Sequence, residues 1–330
     1  MKAPIHEQTV SRFGLRSLLP EGVEIVAGPG CPVCVTPTMA IDRAVELALR
    51  GVTVAVFGDL VMVPATKMSL LEARARGGDV RVVYSVSDAV DIARRNPDKE
   101  VVFVSIGFET TAPTTANELL KGVPENFSVM CYHRLIPPVM ELLLGVGDIQ
   151  IDGFICPGHV AAIIGVKAFR VFAEAYKMPT VVAGFEPNDV LLAILMLLKQ
   201  LRDGEARCEN EYKRVVREEG NLKAQQLIRE VYDVTGAVWR GIGRVPQSGL
   251  VLNKDFEHLD AEKRYEFSQM EHVDINPGCN CHLVMIGKIY PPECKLFGKV
   301  CTPQKPYGPC MVSSEGTCRI YYKYGKQLKL

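Results

Sequence analysis

Six of the chain's eleven cysteines fall in the 40 residues from Cys279 to Cys318. That crowding restricts how this end of the chain can fold. The segment reads NPGCNCHLVMIGKIYPPECKLFGKVCTPQKPYGPCMVSSEGTC. Thiolate sulfur is soft and binds iron well, and a cubane cluster needs four such ligands converging on it. Cys279, Cys281, Cys294, Cys301, Cys310 and Cys318 are the candidates. Pro291, Pro292, Pro303, Pro306 and Gly308 suit an irregular backbone wrapped around an inorganic core. A four-cysteine zinc site and a loop of buried free cysteines are the competing readings. Zinc sites favour two short C-x2-4-C knuckles. Here the gaps are long and uneven with one C-x-C, so the spacing favours iron–sulfur over zinc. The crowding itself exceeds ordinary cysteine usage and argues against free thiols.

The rest of the chain has to supply a conventional core. With 330 residues, 48% of them hydrophobic, it is long enough for one large core or two smaller ones. Lys+Arg and Asp+Glu balance at 38 each, so no electrostatic case exists for nucleic acid or an anionic membrane. The first twenty residues contain no continuous apolar stretch of the secretory kind. The longest apolar run, Val190 to Leu198, stops at Lys199, far short of the ~20 residues a span needs. The expected location is the cytoplasm. In a reducing compartment, clustered cysteines mean metal or redox chemistry more often than disulfides.

Over the first two hundred residues, short β-branched runs alternate with amphipathic stretches. Strands are expected at Val23–Ala27, Val52–Phe57, Val80–Tyr84, Val101–Ile106, Phe127–Cys131, Gly153–Cys156 and Thr180–Ala183, with helices such as Met39–Leu49 and Val160–Ala175 between them. This alternation predicts parallel α/β layers. Val102–Thr110 and Pro179–Pro187 both run from an apolar strand into Gly-Phe-Glu and a helix start, a weak internal repeat suggesting two similar halves facing each other. Ligands of such sheets bind outside the carboxyl ends of the strands, where Gly107–Glu109 and Gly184–Glu186 fall. The charged stretch from Asp203 to Val234 reads as one or two exposed helices. After Trp239 periodicity fades.

Gly28-Pro-Gly-Cys-Pro-Val-Cys-Val-Thr-Pro37 places a C-x-x-C between a strand signal and a helix signal. There the helix dipole lowers a thiol pKa, and Cys31 and Cys34 can close a reversible disulfide. The second C-x2-C that a zinc site needs is absent. Glu109 and Glu186 suit either site carboxylates or ordinary helix-start anions, and the double occurrence of Gly-Phe-Glu favours the site. His159, in Pro157-Gly-His, and His133, after a strand, suit a ligand or a general acid/base as well as they suit capping or core packing. His6 is weighed with them. Cys131 and Cys156 lie in strand runs and read as packing residues. No G-x4-G-K-[ST] phosphate loop is present.

Assembled in order, these motifs resemble the HypD family of [NiFe]-hydrogenase maturation proteins. The resemblance rests on GPGCPVCVTP (Gly28–Pro37), GFETTAP (Gly107–Pro113), PGHV (Pro157–Val160), AGFEP (Ala183–Pro187) and LFGKVCTP…GPCMVSSEG (Leu296–Gly316), and covers nearly the whole chain. It implies two similar parallel-sheet α/β domains facing across a cleft, plus a small irregular [4Fe-4S] domain. The expected division is 1–124 with the CxxC loop, 125–240 with the PGHV and GFEP loops, and 241–330 with the cluster. The family's C-x14-C-x6-C-x16-C ligand spacing falls on Cys279, Cys294, Cys301 and Cys318, leaving Cys281 and Cys310 as non-ligands.

The resemblance also implies an activity. The family works as a redox-active assembly scaffold rather than a conventional turnover enzyme. It pairs with a small HypC chaperone and transiently holds an iron ion that receives cyanide, delivered by HypE, and carbon monoxide. The Fe(CN)2CO unit then passes to the hydrogenase large subunit. The implied iron site takes in Cys34 and His6, and the cluster and the Cys31/Cys34 dithiol supply electrons. Where the family carries Cys-Gly-Thr-His, this chain reads Ala3-Pro-Ile-His6. A methyl group cannot replace a thiolate ligand. That departure motivates an alternative, a dithiol–disulfide oxidoreductase that keeps the cluster and has lost the iron-scaffold role.

Overall fold

A computed structural model describes residues 6–145 and 151–325; Ala3, where the sequence departs from the family motif, lies outside them. Six of the seven expected strands form. β1 (Thr53–Phe57), β2 (Val80–Val83), β3 (Val101–Gly107) and β4 (Phe127–His133) make one parallel sheet in the order β2-β1-β3-β4. β5 (Phe154–Pro157), β6 (Thr180–Ala183) and β7 (Cys208–Asn210) make a second parallel sheet in that order. Every residue of β3, β5 and β6 is buried. Strands covered on both faces read as unbroken apolar runs, which is why these are visible in the sequence.

Three local expectations change. Val23–Ala27 is not a strand of either sheet: the Ile25 carbonyl instead accepts Arg16 Nε and Nη2, at 3.2 and 3.0 Å. The helix expected over Val160–Ala175 is broken at Gly165, whose φ of +85° leaves a helix at Gly158–Ile164, a 3-10 turn and a second helix at Arg170–Glu174. A side chain at Gly165 would also lie 2.3 Å from the Glu218 carbonyl, so the break is built into the packing. The stretch from Asp203 to Val234 contains β7 and one helix, Leu222–Val231, before running into β8 (Tyr232–Trp239). β8 pairs with β9 (Gly243–Leu252) in an antiparallel hairpin.

β4, which the expected boundary after residue 124 assigns to the second half, pairs with β3 along its whole length. The β8–β9 hairpin spans the expected boundary at 240, and β9 returns to the first sheet through a bridge between Gly249 and Arg134. The N-terminal helix Glu7–Arg12 packs on the second sheet, with Val10, Leu15 and Ile25 against Val181, Ala183 and Val190. Among the described residues, no helix is long and apolar enough to cross a membrane.

The cysteine-rich segment is mostly turns, short helices and 3-10 pieces, closed by the helix Thr317–Tyr324. Its buried residues join the core that also holds Val35, Val104, Phe154 and Trp239.

Candidate metal and redox site

The six C-terminal cysteines line one small apolar pocket. Each arrives on a different local device. Cys279 sits in the turn before the short helix Cys281–Met285. Cys294 ends the 3-10 turn Pro291–Glu293. A tight loop then brings Cys301 back: its N–H donates to the Leu296 carbonyl at 2.9 Å, and Gly298, at φ +68°, turns the chain. Cys310 lies in the turn Pro309–Met311, and Cys318 in the last helix. Gly308 forms part of the wall. A Cβ there would stand 2.7 Å from Cys279 Sγ and 3.3 Å from Cys281 Sγ.

Among the described residues, no three His, Cys, Asp or Glu side chains close on a single ion. All six cysteines nonetheless line the same pocket. A zinc ion would draw four sulfurs to bonds of about 2.3 Å from one point, whereas a multi-iron core needs them spread around it. Burial pushes the Cys301 and Cys318 thiols above their ordinary range. Thiolates in so dry a cavity need a cation to offset lost hydration. The Tyr307 N–H already points at Cys301 Sγ, at 3.3 Å. Donor type and burial therefore fit an iron–sulfur core.

The CxxC loop packs on this region. Cys31 caps the helix Pro32–Val35, Pro32 takes its first position, and Cys34 N–H donates to Cys31 Sγ at 3.1 Å. The two cysteines form a disulfide, with α-carbons 5.2 Å apart. Both are buried, 6% and 1% exposed. The short helix lies against the turn Pro309–Met311, so the dithiol loop and the cysteine cavity share a wall.

At the carboxyl ends of β5 and β6 a second group assembles. His6 is fully buried, its ring stacked on Phe185 at 4.9 Å and its Nε2 3.3 Å from the Ala183 carbonyl. A carbonyl only accepts, so Nε2 carries the proton and Nδ1 keeps its lone pair. His159 meets the same Phe185 ring at 5.1 Å. Neither Nδ1 has a partner among the described residues. Burial pushes both imidazoles down to about 4, so both are neutral near pH 7, the state a metal ligand requires. The helix that carries His6 is tied to the cysteine segment: buried Glu7 pairs with Arg16 at 2.7 Å, and Arg16 lies over the rings of Tyr290 and Tyr321.

The remaining candidates occupy different environments. Glu109 follows β3 and is buried; its Oε1 accepts the Ile136 N–H at 2.8 Å and its Oε2 has no partner. Glu186 is exposed and caps the helix Pro187–Asp203. His133 is enclosed by hydroxyls, with Ser105 at 2.9 Å and Thr111 at 3.3 Å, and belongs to the core of the first sheet.

Burial pushes Glu109 up from 4.5 to about 7. The folded chain therefore holds this proton at pH values where the unfolded chain has released it. The stabilisation is complete below pH 4.5 and is lost as pH rises through 7. At ~1.4 kcal/mol per pKa unit the loss is about 3 kcal/mol. Glu109→Gln keeps the acceptor for Ile136 without the ionisation. Urea melts across pH 4.5–8 are expected to show the wild type losing stability relative to this variant. Parallel curves would mean that Glu109 does not titrate in this range.

Parallel sheets, a disulfide at a CxxC loop and a shared wall with a cysteine-lined cavity define a class: α/β proteins that set a disulfide-forming loop beside a cluster of cysteines. Comparison with known proteins is more specific. The family model described as HypD, the hydrogenase formation hypA family, matches residues 4–325. A hydrogenase maturation factor HypD2 of Bradyrhizobium diazoefficiens is 46% identical over 97% of this chain and 87% of its own. A hydrogenase maturation factor HypD of Cupriavidus necator is 45% identical over 97% and 88% respectively. One from Azotobacter vinelandii is 44% identical over 98% and 88%. The chain belongs to the HypD family.

Proposed function

We propose that this protein is a hydrogenase maturation factor that assembles the Fe(CN)2CO unit on an iron ion, with a HypC-like chaperone and a HypE-like cyanide donor as partners, before transfer to the hydrogenase large subunit. The observation that carries this reading is the shared wall between the Cys31–Cys34 loop and the cavity lined by six cysteines.

Cys279, Cys294, Cys301 and Cys318 are the residues proposed to hold a [4Fe-4S] cluster, which when bound supplies single electrons. The chain's own groups do the rest. Opening the disulfide takes two electrons and two protons and yields two thiols. Cys34 becomes an iron ligand only after that step, so reduction gates iron binding. His6 offers its free Nδ1 lone pair from a ring fixed by Phe185 and the Ala183 carbonyl. His159, neutral and beside the same ring, is placed to ligate or to accept a proton. The burial of both disulfide sulfurs disfavours the stand-alone oxidoreductase, which needs one sulfur within reach of a macromolecular disulfide.

The test is an infrared spectrum of anaerobically purified protein co-expressed with its HypC-like partner. Iron-bound cyanide and carbon monoxide absorb where protein is silent. Bands in that window are the expected result. An empty window beside intact cluster absorbance would leave an electron relay without the scaffold.

A further inference from the structure

Among the described residues, Arg240 is a buried cation without a carboxylate partner. It is 1% exposed, directly after the fully buried Trp239 at the end of β8. Its side chain is held by carbonyls alone: Nε donates to Asp274 at 2.7 Å and Nη2 to Pro64 at 2.9 Å, while Nη1 has no partner. A guanidinium cannot shed its charge to escape burial. It therefore needs negative charge nearby, and the ionisable groups whose fields reach it are Cys281, Asp274, Cys310 and Cys279. The Asp274 carboxylate accepts the Thr38 N–H instead. Three of the four groups line the cysteine cavity.

Its backbone has two further attachments. The Arg240 N–H donates to the Val35 carbonyl at 2.9 Å, one residue beyond Cys34. Gly241, at φ +73°, lies so close to the short helix starting at Cys281 that a Cβ there would stand 2.6 Å from the His282 Cβ. One dipeptide thus touches both the dithiol loop and the short helix that begins at the cavity-lining Cys281.

We propose that Arg240 is a positioning residue for the electron chemistry of this site: its backbone fixes the Cys31–Cys34 loop against the cavity, and its guanidinium offsets the negative charge of a cluster held there, making that cluster easier to reduce. The proposal rests on the cluster reading given above. Four thiolates around an iron–sulfur core carry net negative charge, and reduction adds one more electron. A fixed cation in a dry surrounding stabilises the reduced form more than the oxidised one. The unpaired Nη1 is the donor left for that charge.

The test uses the full-length chain, reconstituted anaerobically, with cluster midpoint potentials from a dye-mediated titration. Arg240→Gln is expected to disfavour reduction at least tenfold, a shift of about 59 mV to lower potential for one electron. Arg240→Lys, which keeps the charge, is expected to titrate close to wild type. Equal midpoints for wild type and Arg240→Gln would overturn the assignment while leaving the cluster reading intact. A wild-type chain that binds no cluster would overturn both. Should the glutamine variant fail to fold, Arg240→Met, which fills similar space without charge, is read in its place: a midpoint lowered by a comparable shift supports the charge role, and a wild-type midpoint overturns it.

Discussion

Replacing Cys301 with alanine is expected to abolish the visible absorbance of the cluster and to reduce hydrogenase maturation to background in a host lacking its own copy. Cys301 closes the tight loop from Leu296, and its sulfur accepts the Tyr307 amide. Both features aim one thiolate into the cavity, and a methyl group offers iron nothing. The change reaches beyond the lost ligand, because this end of the chain has few long elements of its own and metal binding there is folding energy. Cys281→Ala and Cys310→Ala are the matched controls. Both residues line the same cavity but fall outside the family ligand spacing, so their loss is expected to leave the absorbance in place. The measurement is iron and sulfide content with the visible spectrum, taken beside hydrogenase activity in the host. Maturation that persisted in the Cys301 variant would remove the electron relay from the proposed function.

The parts legible in the sequence share a physical cause. β1 and β3 to β6 are short, apolar and almost wholly buried, and β2 is a short β-branched run buried at Val80 and Val83, so each stands out locally. β8 and β9 are different. β8 alternates poorly in burial, its register slips between Thr235 and Ala237, and β9 carries Pro246 and a left-handed Gln247 at φ +50°. A bulged hairpin with a proline inside has no period to detect. β7 is three residues in a charged stretch that reads as helix. At the site, the cysteines announce themselves by crowding, and the CxxC by its glycines and prolines. The stacking of His6 and His159 on one phenylalanine joins residues far apart in the chain, which no local pattern encodes. Arg240 has no signature at all, since a single arginine after a tryptophan reads as surface. Glu109 and Glu186 share a motif yet part in environment: one is buried with an unpaired oxygen, the other exposed at a helix start. The repeat marks a similar backbone turn, and burial separates the two chemistries.

Replacing Cys34 with serine is expected to eliminate maturation while leaving the cluster spectrum unchanged. The two effects separate because Cys34 is buried beside the cavity and does not line it. Stability is expected to fall only modestly, since a disulfide closing so short a loop contributes about 2 kcal/mol or less. The chemical loss is much larger. Serine cannot form the disulfide that stores two electrons, and its hydroxyl is a hard, weakly acidic group where soft iron coordination calls for a thiolate. Cys31→Ser removes the disulfide but leaves the Cys34 thiol free. If the dithiol must cycle, both variants fail. If only iron ligation matters, Cys31→Ser keeps maturation and Cys34→Ser loses it. Activity in both would reduce the loop to a structural clip and the cysteine cavity to a folding staple. Infrared bands from the iron unit, recorded for each variant with its HypC-like partner, separate these cases before any hydrogenase assay. The burial of both sulfurs makes the cycling case the expected one: an enclosed disulfide needs an internal electron source, and the cysteine cavity shares its wall.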